Sequence, residues 1–246
     1  MKAISKILIG ALLVLALAGC QDISLKGLIA HKVASANPPK VLLVIANSNP
    51  PIFSNMKNAL AAFSDIGTID SWDSSVSNPT VAKLKSYDVV FMSTDSFPTN
   101  IAALCSNLAQ YLDEGGRVVL GAWDWAASGS GFDISGTLLT QYSPFQLGFT
   151  DNFTYYALGT YDSSHPIMAG VTGFVSAYRN NVSLKADATL VASWDDTVPL
   201  VAELGHVIAL NVGIQYDGLV TEPTYGWYGD GWELLRNAIT YIWHKD

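Results

Sequence analysis

The sequence predicts an α/β domain with a doubly wound sheet, and three observations lead to this prediction. From Lys40 onward, short β-rich runs alternate with segments of helical period, an order typical of right-handed crossovers between parallel strands. The first run, Val41 to Ile45, is apolar on both faces, as expected of a strand covered on both sides. The chain is 50% apolar and only 14% charged, which predicts a large interior.

The alternation continues through the first half of the chain. The elements expected after the first strand are a helix at 53–63, a strand at 68–72, a short helix at 79–85, a strand at 88–92, a helix at 100–114 and a strand at 117–120. The helix at 100–114 has the clearest pattern, because its apolar residues repeat at intervals of three and four and Gly115-Gly116 ends it.

Cys105 lies on the apolar stripe of this helix, between Leu104 and Leu108 in the pattern. No basic residue stands nearby in the sequence to lower the pKa of its thiol. We therefore expect Cys105 to be a buried core residue and not a nucleophile.

Beyond Ala126 the sequence loosens into a Gly- and Ser-rich stretch, followed by a long, aromatic and weakly periodic region. Order then returns, with strands expected at 189–193, 198–202 and 207–212 and a closing amphipathic helix at 232–243.

The first twenty residues are a segment of a different kind. Lys2 and Lys6 precede a continuous apolar run from Ile7 to Ala18, which is shorter than the roughly 20 residues that span a bilayer. Small residues then lead into Cys20. The segment resembles a bacterial lipoprotein signal, and the resemblance implies that Cys20 receives a diacylglyceryl thioether, becomes the mature N-terminus and is acylated on its amine.

This interpretation divides the chain into three parts. Residues 1–19 are expected to be the signal peptide and residues 20–39 a lipidated tether, which lacks a sustained period and ends in Pro38-Pro39. Residues 40–246 are expected to form a single domain.

A lipidated Cys20 places the protein at a membrane of the bacterial cell envelope, facing the periplasm or the exterior. Gln21 follows Cys20, and by resemblance to enteric sorting patterns this permits an outer membrane, although Asp22 leaves that choice open.

The charge balance excludes some partners. With 21 acidic and 13 basic residues the formal net charge is −8, so nucleic acid is not an expected partner and anchoring is expected to depend on the acyl chains. No Gly-x-Gly-x-x-Gly follows the first strand and no Gly-Lys-Ser/Thr occurs. The four histidines are too far apart to predict a metal site. We expect neither a cofactor nor a metal.

Polar and aromatic residues follow several predicted strands, at the ends where open α/β sheets bind ligands. Those that follow the first, third and fourth strands are the candidate ligand-binding residues Asn47, Asn49, Asp95, Trp123, Asp124 and Trp125.

A family resemblance extends over most of the chain. Lys40 to Trp125, His165-Pro166-Ile167, Gly170-Val171, Phe174 and Tyr178 resemble the trehalose-utilisation, or ThuA-like, branch of the class I glutamine amidotransferase-like superfamily. The resemblance implies a flavodoxin-like, mostly parallel sheet with helices on both faces. It points to carbohydrate by association only, and it adds His165 to the candidate ligand-binding residues.

The chain departs from this family where the chemistry would be. Amidotransferases place a cysteine on a tight turn after the strand that here ends in Leu120-Gly121, but this chain has Ala122-Trp123-Asp124. His165 is followed by Pro166-Ile167 rather than by a correctly spaced glutamate. Catalysis by a Cys-His pair is therefore excluded on residue type. This favours a function other than that of an enzyme.

Several candidates keep two roles open. Asp95 and Asp124 end neighbouring strands and are candidates for an acid/base pair with His165, but each aspartate also fits a helix cap or a loop. His165 equally fits a structural turn before proline. Trp123 and Trp125 fit either stacking on a sugar or packing in the core.

The expected function is that of a lipid-anchored binding protein, whose catalytically degenerate amidotransferase-like domain holds a polar ligand such as a glycan at the strand ends. One alternative is a carbohydrate-active enzyme that uses Asp95, Asp124 and His165. The other is a purely structural envelope protein, which predicts no cleft.

Overall fold

The structure is a computed structural model that describes residues 38–47 and 49–245 of the chain. The predicted signal peptide, the lipidation site Cys20 and residues 20–37 of the predicted tether lie outside the described residues. Among the helices that are described, none has both the length and the apolar character needed to cross a membrane.

Ten strands of the described chain form one sheet, with helices between them. The strands are β1 (Val41–Ile45), β2 (Ile69–Asp73), β3 (Val89–Ser93), β4 (Val118–Leu120), β5 (Phe149–Tyr161), β6 (Phe174–Asn181), β7 (Thr189–Trp194), β8 (Pro199–Leu204), β9 (Val207–Leu210) and β10 (Tyr228–Gly229). The α-helices are α1 (Pro50–Ala61), α2 (Val81–Leu84), α3 (Ile101–Asp113) and α4 (Gly231–His244), with a π-helical turn at Leu138–Tyr142 and a 3₁₀ turn at Pro166–Met168.

The parallel half of the sheet has the spatial order β2-β1-β3-β4-β9. This matches the 2-1-3-4-5 order of flavodoxin-like sheets, with β9 as the fifth strand. Helices cover both faces of this half, and the side chains of β1 alternate between them. Val41 and Leu43 pack with α1 and α4 on one face. Leu42 and Val44 pack with α2 and α3 on the other. The mixed α/β fold with helices on both faces is therefore as the sequence predicts.

The prediction of a mostly parallel sheet is wrong for the second half of the chain. Beyond β9 the sheet continues through β8, β7, β5, β6 and β10, and every one of these pairings is antiparallel. A parallel connection needs a crossover of a dozen or more residues, usually helical. Only residues 195–198 and 205–206 join β7, β8 and β9, so these strands pair as hairpins.

The elements predicted for the parallel half agree with the structure to within a few residues. The helix predicted at 53–63 begins earlier, at Pro50, because proline is well suited to the first turn of a helix. β5, β6 and β10 are missing from the prediction. β5 is partly or fully exposed along its whole length and shows no buried-exposed alternation, so period-2 patterning could not reveal it.

Arg179 of β6 holds the antiparallel half together through a buried charge network. Its side chain is 1% exposed. The guanidinium donates to Asp151 of β5 at 2.8 and 3.1 Å and to Asp196 of the β7–β8 turn at 2.6 and 2.8 Å. It also lies 3.3 Å from the ring centroid of Tyr156. A planar fork with several donors suits two carboxylates and an aromatic face at once.

Replacing Arg179 tests this network. Arg179→Met should lower the free energy of unfolding by about 2–4 kcal/mol, since two partly buried carboxylates lose their counter-charge. Arg179→Lys should restore only part of this loss, because an ammonium group cannot bridge both aspartates in the same way. Urea denaturation of the full chain measures the effect. Equal stability of the three proteins would show that the network is not required.

Candidate functional site

A cleft of about 320 Å³ lies at the carboxyl ends of β3, β4 and β9, beside the paired β5 and β6. It is where an open α/β sheet is expected to bind a ligand. Its lining residues are Asp95, Trp123, Phe132, Thr150, Asn152, Tyr178, Tyr216 and Glu222. The structure thus brings two of the sequence-derived candidates, Asp95 and Trp123, into one cavity.

Asp95 follows β3 and is held by groups from two other strand ends. The Tyr216 hydroxyl, after β9, lies 2.8 and 2.7 Å from the two carboxylate oxygens and donates to them. Asn47, after β1, donates through Nδ2 to the same carboxylate. Burial raises the pKa of Asp95, and the hydrogen bonds from Tyr216 and Asn47 oppose that shift. Asp95 is therefore a partly buried carboxylate held mainly by neutral donors.

Trp123 occupies the tight turn after β4 in a backbone conformation that is rare for its residue type. Its φ is +68°, in the left-handed region. The side chain is 7% exposed and packs against Tyr178 and Tyr216, with ring centroids 5.6 Å away in both cases. Such strain costs on the order of 1–3 kcal/mol and persists only where the surroundings impose it.

Two buried asparagines hold this turn in place by hydrogen bonds. The backbone N–H of Trp123 donates to Oδ1 of Asn180 at 2.6 Å. Asn180 N–H in turn donates to Oδ1 of Asn211 at 2.8 Å, and Asn211 Nδ2 donates to the Asn180 carbonyl at 2.7 Å. Gly213 leaves room for the indole, because a Cβ there would lie 2.6 Å from its Cη2 atom.

β5 forms the opposite wall through an irregularity in its pairing with β6. The register shifts within residues 152–156, and Phe153 in this segment has a φ of +70°. Its ring packs against Tyr178 and Tyr225, at centroid distances of 5.7 and 4.9 Å. Bulges commonly re-aim a side chain next to a functional site. Among the described residues, two of the three non-glycine positions with positive φ, Trp123 and Phe153, border this cleft.

The cleft is electrostatically negative. Burial, followed by the charges of Glu222 and Asp95, raises the pKa of Tyr178 to about 12. Both carboxylates therefore act on the same hydroxyl. None of the residues that line the cleft is Lys, Arg or His.

Asp124 is fully buried, beneath the cleft rather than in it. Its Oδ1 accepts from the backbone N–H and from the hydroxyl of Thr94, both at 2.9 Å, which ties the turn after β4 to the end of β3. Its Oδ2 has no partner among the described residues. Burial raises the pKa of Asp124 well above its ordinary value. Asp124 therefore positions Thr94 and its neighbour Asp95, and it does not contact the cavity.

Trp125 and His165 also lie away from the cleft. The Trp125 side chain is 0% exposed and donates through Nε1 to Ser143 Oγ at 2.8 Å, inside the core. His165 accepts the Ile167 N–H on Nδ1 at 3.2 Å, as the cap of a 3₁₀ turn. Its Nε2 lies 3.9 Å from Glu203, which pairs near the amino end of β9. His165 thus lies near the amino end of β9, whereas Asp95 lies at the carboxyl end of β3.

Asn49 is exposed and is held through its backbone: its N–H donates to Asn47 Oδ1 at 2.7 Å, and its carbonyl accepts the N–H of Ile52 at 3.1 Å. Beside it lies a second, more open groove of about 400 Å³, lined by Asn47, Pro50, Phe53, Ser71 and Asp73. The groove meets the start of α1, where prolines remove backbone donors. It offers little to hold an anion.

No thiol faces the cleft in the described part of the chain. Cys105 is 2% exposed within α3, and burial raises the pKa of its thiol to about 12. The prediction that Cys105 is a buried core residue is confirmed.

The sequence reasoning did not identify six of the cleft residues as site candidates: Phe132, Thr150, Asn152, Tyr178, Tyr216 and Glu222. Asn152 and Tyr178 lie on strands that have no recognisable period, and Glu222 lies in a long loop. Tyr216 follows a predicted strand, so the strand-end rule applied to residues 207–212 was a signal that could have found it.

Comparisons with known proteins support the fold. No family model matches the sequence, and no curated protein matches it. A ThuA-like protein from Bacteroides uniformis is 16% identical, with a TM-score of 0.59 over 82% of this chain and 90% of that one. A cytoplasmic protein from Salmonella typhimurium LT2 is 12% identical, with a TM-score of 0.64 over 82% and 99%. A glutamine amidotransferase from Thermotoga maritima is 10% identical, with a TM-score of 0.55 over 85% and 99%.

These similarities show that the chain has the α/β fold of ThuA-like and glutamine amidotransferase-like proteins. The fold that the sequence resemblance implied is confirmed at this level.

The burial of Asp124 should make the stability of the protein depend on pH. Asp124→Asn keeps the acceptor for Thr94 and removes the ionisable group. Below about pH 4, the ordinary pKa of an aspartate, the wild-type carboxyl is protonated in both the folded and the unfolded chain, so the two proteins should be similarly stable. As the pH rises toward neutrality, only the unfolded wild type loses its proton freely, so the asparagine variant should become progressively more stable than the wild type. Urea denaturation at several pH values measures this difference, and a difference that shrinks with rising pH would contradict the burial of a protonated Asp124.

Proposed function

We propose that this protein is a lipid-anchored, extracytoplasmic binding protein. Its amidotransferase-like domain lacks a nucleophile and holds a polar ligand, such as a glycan, in the cleft at the strand carboxyl ends. Acyl chains on Cys20 anchor the protein to the membrane.

The observation that carries the binding proposal is Trp123. By resemblance to the amidotransferases, the turn after β4 is the place of the nucleophilic cysteine. Here the same turn presents an indole, in a left-handed conformation, to a cavity that contains carboxylates. Strained backbone that the surrounding structure maintains is found preferentially at functional sites. An aromatic side chain at this point can bind a ligand but cannot act as a nucleophile.

The composition of the cleft favours a sugar among polar ligands. Trp123, Tyr178 and Tyr216 supply aromatic surface for the apolar face of a sugar ring. Asp95 and Asn152 supply hydrogen-bonding groups for its hydroxyls. A largely aromatic pocket with a few convergent polar groups is the usual form of a small-molecule site.

The geometry does not favour the enzymatic alternative. It requires Asp95, Asp124 and His165 to act on one substrate. Asp124 is 0% exposed, and His165 lies near the amino end of β9, so only Asp95 faces the cleft. A purely structural protein is not favoured either, since it predicts no cleft.

The lipid anchor has a direct test. Intact mass spectrometry of the full-length protein, extracted from the membranes of the expressing bacterium, should show a chain that begins at Cys20 and carries two or three acyl chains. Cys20→Ser should abolish both the cleavage and the added mass. A mature chain that begins elsewhere, or that carries no lipid, would contradict the anchor.

The binding function is tested with an oligosaccharide panel. Full-length protein in a polyoxyethylene detergent, which carries no sugar, is screened on a glycan array, and hits are measured by calorimetry. Trp123→Ala and Phe132→Ala should each weaken binding about tenfold or more, because an aromatic contact with a desolvated ligand contributes at least about 1–2 kcal/mol.

Trp243→Ala is the matched control, since that indole lies on α4 against Arg117, away from the cleft. Phe132 is less buried than Trp123, so its variant carries the test if Trp123→Ala does not fold. Binding that none of the cleft variants weakens, or the absence of any glycan ligand, would contradict the proposal.

A further inference from the structure

The cleft contains negative charge that no cationic side chain in residues 38–47 or 49–245 neutralises. Asp95 is held by the Tyr216 hydroxyl and the Asn47 amide, both neutral. Glu222 lies in the same cavity, and its Oε1 accepts the backbone N–H of Thr224 at 3.3 Å. Neither carboxylate forms an ion pair with a described residue. A partly desolvated carboxylate without a counter-charge attracts a cation strongly.

The one arginine on the neighbouring strand cannot supply that charge. Arg179 is adjacent to Tyr178 in β6, but its guanidinium is shared between Asp151 and Asp196 and covered by Tyr156. All three nitrogen atoms of its guanidinium donate to these two aspartates. Arg179 thus neutralises two other aspartates, and Asp95 and Glu222 have no ion-pair partner in the part of the chain that the structure describes.

Two buried acceptors near the cleft have no donor among the described residues, and Asn180 Nδ2, next to Trp123, is a buried donor without a described acceptor. Asn152 lines the cleft, and its Oδ1 is buried with no donor among the described residues. Gln215 contacts Asp95, is 0% exposed, and its Oε1 likewise has no described donor. A buried acceptor without a donor is unfavourable. Since Asn152 lines the cleft, a ligand with N–H or O–H groups could donate to its Oδ1.

The aromatic wall is compatible with positive charge as well as with a sugar ring. Trp123, Tyr178 and Tyr216 form one contiguous cluster, with ring centroids 5.1–5.6 Å apart. The faces of tryptophan and tyrosine attract ammonium groups, and the attraction grows when the site is desolvated. Carboxylates beside aromatic faces therefore select a cation over an anion or a neutral group.

We propose that the ligand of this cleft is an amine-bearing, cationic sugar, whose ammonium group pairs with Asp95 and Glu222 and whose ring packs on Trp123. This inference rests on the proposed glycan-binding function and adds the charge class of the ligand. A neutral sugar leaves both carboxylates unmatched, and an acidic sugar is repelled by them.

The test uses trisaccharides that differ in charge. Calorimetry of the full-length protein compares the trimers of glucosamine, N-acetylglucosamine and galacturonic acid, with the triamine spermidine as a cation that is not a sugar, at a pH where the sugar amine is protonated. The glucosamine trimer should bind about tenfold or more tightly than its acetylated form, as expected for a partly desolvated charge pair. The galacturonate trimer and spermidine should bind more weakly than either glucosamine-based trimer.

Charge variants assign the preference to its residues. Asp95→Asn and Glu222→Gln should each reduce the ratio of the affinity for the glucosamine trimer to that for the acetylated trimer. Asp113→Asn, a carboxylate at the end of α3 and outside the cleft, is the matched control and should keep the full preference. If Asp95→Asn fails a thermal melt, Glu222→Gln carries the test, because its amide oxygen can still accept from Thr224.

The outcomes separate the two proposals. Equal binding of the glucosamine and N-acetylglucosamine trimers, or a preference that survives both charge variants, overturns the cationic ligand and leaves glycan binding intact. Binding of spermidine alone overturns the sugar as the ligand. Failure of every trimer, together with an empty glycan array, overturns the proposed function itself.

Discussion

The arrangement of the cleft depends on a hydrogen-bonded pair of buried asparagines, Asn180 and Asn211, that joins the two halves of the sheet. Both side chains are 0% exposed, and the Asn211 side chain accepts the backbone N–H of Asn180 and donates to its carbonyl. Asn180 also receives the N–H of Trp123, so the turn after the parallel strand β4 is fixed to the antiparallel strand β6. Buried amides of this kind are costly when unpaired, which makes the junction specific. The pair thus helps to hold a bulky residue at φ +68° in that turn, together with the packing of Tyr178 and Tyr216 on its indole.

This junction fixes a tryptophan in the turn after β4 of an amidotransferase-like fold. The parallel half supplies Asp95 and Trp123 from its strand ends, with Asp124 buried beneath them as a tie to Thr94. The antiparallel half supplies the aromatic wall that includes Tyr178. The scaffold of strand ends and tight turn is compatible with several chemistries, because function depends on the side chains placed there and not on the fold. In this chain the turn after β4 carries an indole in place of a thiol.

The parallel half was predictable because its physical signals are local. The strand Val41–Ile45 is apolar on both faces, and α3 repeats apolar residues at helical spacing, so sequence alone places Asp95 and Trp123 at strand ends. The antiparallel half lacks such signals, since β5 is largely exposed and broken by a bulge at Phe153. Sequence distance also conceals the burial of Asp124 and the remote position of His165. Whether a strand-end residue faces the cavity or the core depends on tertiary packing, which spacing does not encode.

The most direct test of this account observes the Trp123 indole during a ligand titration. The chain has seven tryptophans, and the Trp125 indole, which is bonded to Ser143 in the core, is an internal reference two residues away. In a ¹H–¹⁵N spectrum of the full-length protein, the glucosamine trimer should shift the Trp123 indole resonance and leave that of Trp125 unchanged. A ligand that shifts other indoles while Trp123 stays fixed would contradict the central claim that the turn after β4 is a binding site.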